Sequence, residues 1–455
     1  MLTREENELL TRVGPGTPMG DLIRQYWLPF LPSADLAEAD GRPQRVRLLC
    51  EDLIAFRDSD GRPGLLANNC PHRGASLFFG RNEESGLRCV YHGWKFDATG
   101  ACIEMPNEPP ERRGGFQTRP LKDKVHATSY PCVERNGLIW AYLGPRSEPP
   151  PLPELEWNTV DEGQNFFSAR VQHANWVQAM EGGLDPSHSA FLHSRLNVQE
   201  DIERGLRRGG SRGMIYNRRD KHPHFETLDT DYGCAVAVRR NAEEESYYWR
   251  INQFVLPFHT MIPPYGDDPA LSGFAWVPID DETTWCLCYT YHPTKALPPE
   301  QIQGISAINN DRVEALHPSA AIFAPPTAAP YGRYETLLTR DNDYRVEWEA
   351  QKTLRFSGLP GLWPQDAGCQ ESMGSICDRT QEHLGSSDSG IIQVRRRLIN
   401  AARRLREQDI APEAVDTPAL FRVRAGSAIL PRDQRWEDGI REQLLATPGV
   451  NYPAP

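Results

Sequence analysis

Two cysteine–histidine pairs stand close together early in the chain: Cys70-Pro71-His72 and, after sixteen intervening residues, Cys89-Val90-Tyr91-His92. Each half contributes one thiol and one imidazole. That is the donor set of a [2Fe–2S] cluster in which one iron takes two thiolates and the other takes two imidazoles, a replacement that raises the reduction potential above that of an all-cysteine cluster. Arg73-Gly74 follows the first pair and Gly93-Trp94 the second, so each pair is expected on a tight turn whose backbone N–H groups can point at sulfur. A Cys2His2 zinc finger places both cysteines in one half and both histidines in the other, with a helix between. Here the halves are mixed and the Gly74-to-Arg88 stretch is loop-like, so an electron-transfer cluster is expected in preference to zinc.

The bulk of the chain narrows the setting. A length of 455 residues predicts two to three domains with ample chain for large cores. Hydrophobic content of 39% and charged content of 25% describe a soluble globular protein, and no apolar run approaches bilayer length, so no membrane partner is expected. The opening Met1-Leu2-Thr3-Arg4-Glu5-Glu6 is charged and lacks an apolar export segment, which predicts a cytoplasmic location. A net charge of −12 argues against a nucleic-acid partner. Of the ten cysteines two are committed as cluster thiolates. Cys286 and Cys288 lie on one face of an expected strand, and free thiols in a reducing compartment account for the rest.

Residues 5–27 read as helical, interrupted at Gly14-Pro15-Gly16-Thr17-Pro18, and form an N-terminal lead over 1–27. From Gln44 to Tyr142, β-rich runs (Val46–Cys50, Leu53–Phe56, Gly137–Tyr142) alternate with turn signals at Asp58–Gly61 and Asp97–Gly100, predicting an all-β cluster domain over 28–148. Prolines 145, 149, 150, 151 and 153 then predict a stiff, extended connector. Beyond it, over 149–455, residues 173–196 read as helix, Tyr247–Val255 and Phe274–His292 as long antiparallel strands, and Glu382–Glu407 as a charged helix with an apolar stripe. The second domain is therefore α+β, with a sheet in the middle and a long helix late.

The run Asn175 to His193 holds the next chemistry. His188 and His193 can converge on a metal with a carboxylate, although five-residue spacing is not same-face spacing on a regular helix. A break is required, which Gly182-Gly183 and Pro186 can supply. Asp185 is placed to cap a helix beginning at Pro186. Non-haem Fe(II) oxygenases use two histidines and one carboxylate on one face of iron, leaving positions open for O2 and substrate. A cluster has no substrate chemistry of its own and an iron oxygenase needs an electron donor, so the two sites explain each other.

With these motifs in view the chain resembles the Rieske non-haem iron oxygenases, specifically the oxygenase component of the phthalate 4,5-dioxygenase type. The resemblance spans nearly the whole length. It rests on Leu10–Gly20, the two Cys–His pairs, the E-G-x-x-D-P-x-H-x4-H run from Glu181 to His193, Gln370–Gly374 and Asp378–Gly385. It implies an all-β Rieske domain followed by a helix-grip (START/Bet v 1-like) catalytic domain with a central antiparallel sheet. It implies a [2Fe–2S] cluster on Cys70, His72, Cys89 and His92, and a mononuclear Fe(II) on His188 and His193. The third ligand is a distant carboxylate. Asp366, within Trp363-Pro364-Gln365-Asp366, is similar to the family's ligand aspartate, with Glu371 and Asp378 as rivals. Asp185 would bridge His92 of one subunit to His188 of the next, which implies a head-to-tail ring, a homotrimer or stacked trimers. Many relatives carry Asn where this chain has Glu181, which leaves the part played by that position open.

The activity so implied is that of a terminal oxygenase: a reductase or ferredoxin feeds the cluster, the cluster feeds iron, and O2 hydroxylates a small organic, aromatic substrate. Dihydroxylation and monohydroxylation ending in O-demethylation use the same ligand set. A protein that only transfers electrons, its second domain a scaffold, is disfavoured because every ligand candidate is retained. Residues 204–221 are basic (Arg204, Arg207, Arg208, Arg212, Arg218, Arg219, Lys221) in an acidic chain. They read either as a solvated surface segment or as a loop recruiting an anionic substrate, since arginine presents a planar fork to carboxylates. Arg239 and Arg240, ending an expected strand, carry the same two readings.

Overall fold

In the computed structural model, residues 1–109, 121–207, 211–265, 269–300, 302 and 322–450 are described. The chain opens with helices α1 (Arg4–Thr11) and α2 (Pro18–Ile23). Thr3 caps the first through a reciprocal pair with Glu6, and Thr17 with Pro18 at the first helical position starts the second. The expected helix to residue 27 stops at Ile23, because Trp27 begins strand β1 (Trp27–Pro32). That strand pairs with β11 (Leu138–Tyr142), whose other neighbour is β10 (Cys132–Arg135), so the end of the lead is stitched into the cluster unit.

Two further antiparallel sheets complete that unit. One has the order β2 (Gln44–Leu48), β3 (Glu51–Arg57), β4 (Pro63–Ala67) and β9 (Ser129–Tyr130). The other runs β5 (Arg81–Glu83), β6 (Gly86–Arg88), β7 (Lys95–Phe96), β8 (Cys102–Glu104). The expected turns at Asp58 and Asp97 form because each carboxylate accepts backbone N–H groups two and four residues on. The β2 run ends at Leu48, two residues before the expected Cys50, where Leu49 and Cys50 adopt positive φ. The proline-rich stretch is not a free connector: Pro150 and Pro153 are buried, and Trp27 Nε1 donates to Pro150 O at 2.7 Å.

The second unit is built on one large antiparallel sheet in the order β12 (Asn165–Gln172), β18 (Thr284–Tyr291), β17 (Leu271–Pro278), β16 (His259–Ile262), β15 (Ser246–Val255), β14 (Gly233–Asn241), β13 (His224–Thr230). Strand β19 (Gly426–Pro431) also pairs with β15. Strand β18 is buried along its whole length, and its alternation puts Cys286 and Cys288 on one face, as expected. Helix α3 (Trp176–Leu184) lies on β16 and β17, followed by α4 (Val198–Arg207), α5 (Arg212–Arg219), α6 (Trp348–Thr353), α7 (Leu362–Ser372) and α8 (Ser389–Gln408). Helix α8 packs on β13, β14 and both N-terminal helices, burying Val394, Leu398 and Ile399 of its expected stripe. It begins at Ser389 and not at Glu382, which turns inward to pair with Arg395. Trp140 of the cluster unit stacks on Trp157, joining the two units in one hydrophobic core. Among the described residues no helix is long and apolar enough to cross a membrane.

The expected helix over 173–196 is broken, and the break makes the site. Asn175 caps α3 by accepting from Val177 N, and the helix ends at Leu184. Asp185, preceding Pro186, is pushed into the extended region, as residues before proline are. The chain then makes a short 3-10 turn over His188–Ala190. Gly182 and Gly183 are not the hinge; they stay helical and permit close approach. A Cβ on Gly182 would lie 1.9 Å from Gln370 Nε2, and one on Gly183 would lie 2.8 Å from Thr260 Oγ1. Gly182→Ala must therefore displace the Gln370 amide, and it is expected to cost about 1–3 kcal/mol of stability. A denaturation midpoint equal to that of the wild type would show that α3 has slack against α7.

Candidate metal centres

The two Cys–His loops have the same backbone design. Cys70 N donates to Ala75 O and Gly74 N to Cys70 O, both at 2.8 Å. Cys89 N donates to Trp94 O at 2.8 Å and Gly93 N to Cys89 O at 2.9 Å. Both glycines sit at φ +77°, a conformation that side chains other than glycine rarely adopt, and a Cβ on Gly93 would also strike Pro106. The loops bring the two thiols side by side and the rings of His72 and His92 to 4.5 Å between centroids. His72 stacks on Trp94 at 4.1 Å. Burial pushes the Cys70 thiol up to about 11, with the neighbouring Cys89 adding to the effect, so this pair needs a cation to hold thiolates. His72 Nδ1 is buried without a hydrogen-bond partner. Two crowded thiols and an orphaned imidazole nitrogen fit a cluster bound between the loops.

The second centre assembles across 178 residues of sequence, from His188 to Asp366. Helix α7 starts after Gly361, at φ +81°, with Pro364 tolerated in its first turn, and carries Gln365 and Asp366 toward the 3-10 turn of His188. His188 Nε2 and His193 Nε2 lie 3.1 Å apart. Asp366 Oδ1 lies 3.5 Å from the first and 3.2 Å from the second. The other nitrogen of each ring faces an acceptor: His188 Nδ1 lies 3.4 Å from Asp185 Oδ2, and His193 Nδ1 is 2.7 Å from Gln365 Oε1. With the protons on Nδ1, both Nε2 lone pairs and a carboxylate oxygen point into one small space. In those tautomers the three donors are arranged to take a cation, and two imidazoles with one carboxylate suit iron.

The ionisation of the site follows from these contacts. Burial acts to raise the Asp366 carboxyl, but the His193 and His188 rings outweigh it and hold it below the usual range. Burial likewise opposes charge on His188, yet Asp185 and Asp366 together raise it. Asp185 is held low by His188 and by Ser187 N, which donates to Oδ1 at 2.7 Å, against the opposing effect of burial.

Of the rival carboxylates, neither joins this group. Glu371 accepts from His173 N at 3.1 Å and from the Tyr344 hydroxyl. Asp378 is exposed and closes its own turn by accepting from Thr380 N. Glu181 points away from the histidines into an ion cluster, where Arg395 donates to both its oxygens and Arg379 reaches it at 3.3 Å. Arg395 in turn holds Glu382, so Glu181 ties α3 to α8.

The basic 204–221 segment folds as helices α4 and α5; Arg208 lies outside the described residues. Arg207 and Arg212 form exposed ion pairs with Glu203 and Glu243, Lys221 stands over the Phe191 ring, and Arg219 is exposed. Arg218 turns inward to the histidine segment. Arg239 stacks on Tyr247, whereas Arg240 is only 1% exposed and donates to Pro186 O at 3.1 Å. Gln365 was not legible as a site residue, since an amide carries no metal signature; its position directly before Asp366 was the available hint.

A single chain with a thiol–imidazole cluster site and a two-histidine, one-carboxylate site defines the class of two-centre iron oxygenases. Residues 26–131 match the family described as Rieske [2Fe-2S] domain, and 141–302 with 330–444 match the one described as LigXa C-terminal domain like. The 3-chlorobenzoate-3,4-dioxygenase oxygenase subunit of Comamonas testosteroni is 35% identical over 98% of this chain and 99% of its own. The phthalate 4,5-dioxygenase oxygenase subunit of Pseudomonas putida is 33% identical over 100% of this chain and 98% of its own. The 5,5'-dehydrodivanillate O-demethylase oxygenase subunit of a Sphingobium species is 31% identical over 98% and 90%. The fold is shared with dicamba monooxygenase, at a TM-score of 0.54, 17% identity and coverage of 85% of this chain and 99% of that one. The chain belongs to the Rieske non-haem iron oxygenases, as an oxygenase subunit of the phthalate 4,5-dioxygenase type, and is an enzyme whose family carries a [2Fe–2S] cluster and a mononuclear iron.

Gln365→Leu removes the acceptor that fixes the His193 tautomer. Loss of such an outer partner costs a metal site about 10–100-fold in affinity. Fe(II) titration of the metal-depleted variant is expected to show that weakening with the cluster spectrum unchanged; unaltered affinity would mean that packing alone orients His193.

Proposed function

We propose that this chain uses electrons from a reductase or ferredoxin, together with O2, to hydroxylate a carboxylated aromatic substrate. The observation that carries the reading is the convergence of His188, His193 and Asp366 in a chain that also holds both Cys–His pairs. In this reading Cys70, His72, Cys89 and His92 hold the cluster, and His188, His193 and Asp366 hold the iron. When bound, the cluster delivers single electrons and the iron activates O2 at positions that a two-histidine, one-carboxylate set leaves open. The protein's own part is positional. Asp185 and Gln365 accept from the Nδ1 atoms and so aim both Nε2 atoms inward.

Asp185 is the link between centres. Its carboxylate has one oxygen on Ser187 N and the other toward His188, and the side chain remains partly exposed. Among the described residues no hydrogen bond or ion pair joins His72 or His92 to residues 149–455 of the same chain. Val90 and Tyr91 beside the cluster are 57% and 56% exposed, and Phe191 and Phe356 form an exposed aromatic pair beside the iron histidines. These apolar faces suit head-to-tail docking of the cluster domain (28–148) of one copy on the catalytic domain (149–455) of the next, closing as a trimer or stacked trimers. Asp185 of one subunit would then reach His92 of its neighbour.

For the substrate, Arg240 is the supporting feature. It is buried at the C-terminal end of β14, its Nη2 is held by Pro186 O beside the iron histidines, and its Nη1 is buried without a partner. A buried unused guanidinium donor favours a carboxylate ligand. The relatives' names include chlorobenzoate and phthalate dioxygenases and an O-demethylase. Product analysis with 18O2, an electron donor and a panel of aromatic acids and aryl ethers separates these: two labelled oxygens on the ring for dihydroxylation, one for ring monohydroxylation, and none on the phenol for O-demethylation, where the labelled oxygen leaves with formaldehyde. Turnover of uncharged aromatics in preference to acids would overturn the carboxylate assignment.

Two variants test the centres. Asp366→Ala is expected to lose the mononuclear iron and keep the cluster spectrum; loss from Glu371→Ala in its place would overturn the ligand set. Asp185→Asn keeps its shape but loses charge, and hydrogen bonds to charged groups are worth about 1.5–3 kcal/mol. Cluster reoxidation in a single turnover with O2 and substrate is expected to slow by orders of magnitude, with iron content intact. A wild-type rate would exclude Asp185 as the bridge.

A further inference from the structure

One residue of the basic stretch, Arg218, turns inward and clamps the segment that carries the two histidines. Between His188 and His193 the backbone is irregular: a 3-10 turn, then Phe191 at φ −117°, ψ −74°. Such a segment has no regular ladder to satisfy its carbonyls or fix its shape. Arg218, on α5, spans it. Its Nη1 donates to Ser189 O at 2.5 Å and its Nη2 reaches His193 O at 3.4 Å. The adjacent Asn217 donates to Ser189 Oγ at 3.3 Å, and that hydroxyl donates to Pro186 O at 3.0 Å. The guanidinium is ion-paired with the Asp201 carboxylate on α4, an oxygen of which lies 2.8 Å from Nε. Asp201 also lies 3.4 Å from Arg195 N, just past the second histidine.

We propose that Arg218 is a positioning residue for the mononuclear iron, setting the separation of His188 and His193 through the carbonyls of Ser189 and His193. The proposal rests on the assignment of iron to His188, His193 and Asp366. One planar fork holds the start and the end of the turn at a fixed spacing, which a lysine, a single flexible point charge, does not reproduce. Asp201 neutralises the fork, so Arg218 has little charge to offer a substrate. Helices α4 and α5 are thus a buttress for the metal site.

The test is Fe(II) titration of metal-depleted holoprotein, with the cluster spectrum as an internal control of folding and with Arg212→Ala as a control on the exposed side of α5. Arg218→Ala is expected to weaken Fe(II) binding by about 10–100-fold, the range for outer partners of metal ligands. Arg218→Lys is expected to restore less than half of that loss on a logarithmic scale, and Asp201→Asn to weaken binding in the same direction. At saturating Fe(II), kcat should fall while KM for substrate stays constant. A raised KM with unchanged Fe(II) affinity would make Arg218 a substrate contact, and lowered thermal stability with unchanged Fe(II) affinity would make it structural only; either overturns the proposal. If Arg218→Ala does not fold, Arg218→Lys and Asp201→Asn decide it, unchanged Fe(II) affinity in both being a refutation. Asp366→Ala run in parallel separates the levels: if it keeps its iron, the ligand assignment has failed, whereas iron loss there with wild-type affinity in the Arg218 variants refutes only the clamp.

Discussion

Two imidazole nitrogens and a carboxylate oxygen face one another within 3.1–3.5 Å, an arrangement suited to holding a cation. Much of the second domain reads as the means of holding those three atoms together. The sheet supplies a floor for α3, the prolyl break after Asp185 turns the chain so that two histidines five residues apart can meet, and α7 brings in the carboxylate. Each ring also faces an acceptor from behind, one a carboxylate and one an amide, which favours the tautomers that leave both Nε2 atoms free.

The cost of such a site is local irregularity, and the fold offsets it with polar contacts buried around it. Glu181 and its two arginines fasten α3 to α8. Breaking a buried pair of this kind by removing one partner typically costs about 3–5 kcal/mol, so the cluster fixes orientation whatever its net contribution. Gln172 and Gln178 reach across to Gln370 on α7, so β12 and α3 are both tied to α7. The two iron sites differ in character for a physical reason. The cluster loops are short hairpins repeated with the same glycine geometry, local in sequence and self-contained. The mononuclear site is assembled from distant segments and depends on the whole domain.

That contrast also decides what could be read from the chain. The Cys–His pairs were legible because ligands and turn glycines are neighbours in sequence. Asp366 was reached through resemblance to a family, since no spacing rule connects it to His193. In the helix expected over 173–196 the spacing of His188 and His193 demands a break, and the structure puts it at Asp185, where the residue before a proline leaves the helical region, and not at the Gly182-Gly183 pair. Glu382 looked helical by composition, but its attraction to Arg395 draws it out of α8. Gln365 carries no signal in the sequence, and Arg218 and Arg240 stand out there only as basic residues with two open readings: an amide and two arginines acquire their particular contacts only from what tertiary structure puts beside them.

The central claim is that one chain carries two distinct iron centres. Iron, zinc and labile sulfide determined per chain on protein produced with ample iron test it most directly. Three irons and two sulfides with no stoichiometric zinc are expected, two of the irons belonging to the cluster. Two irons with two sulfides, or zinc at either centre, would contradict it.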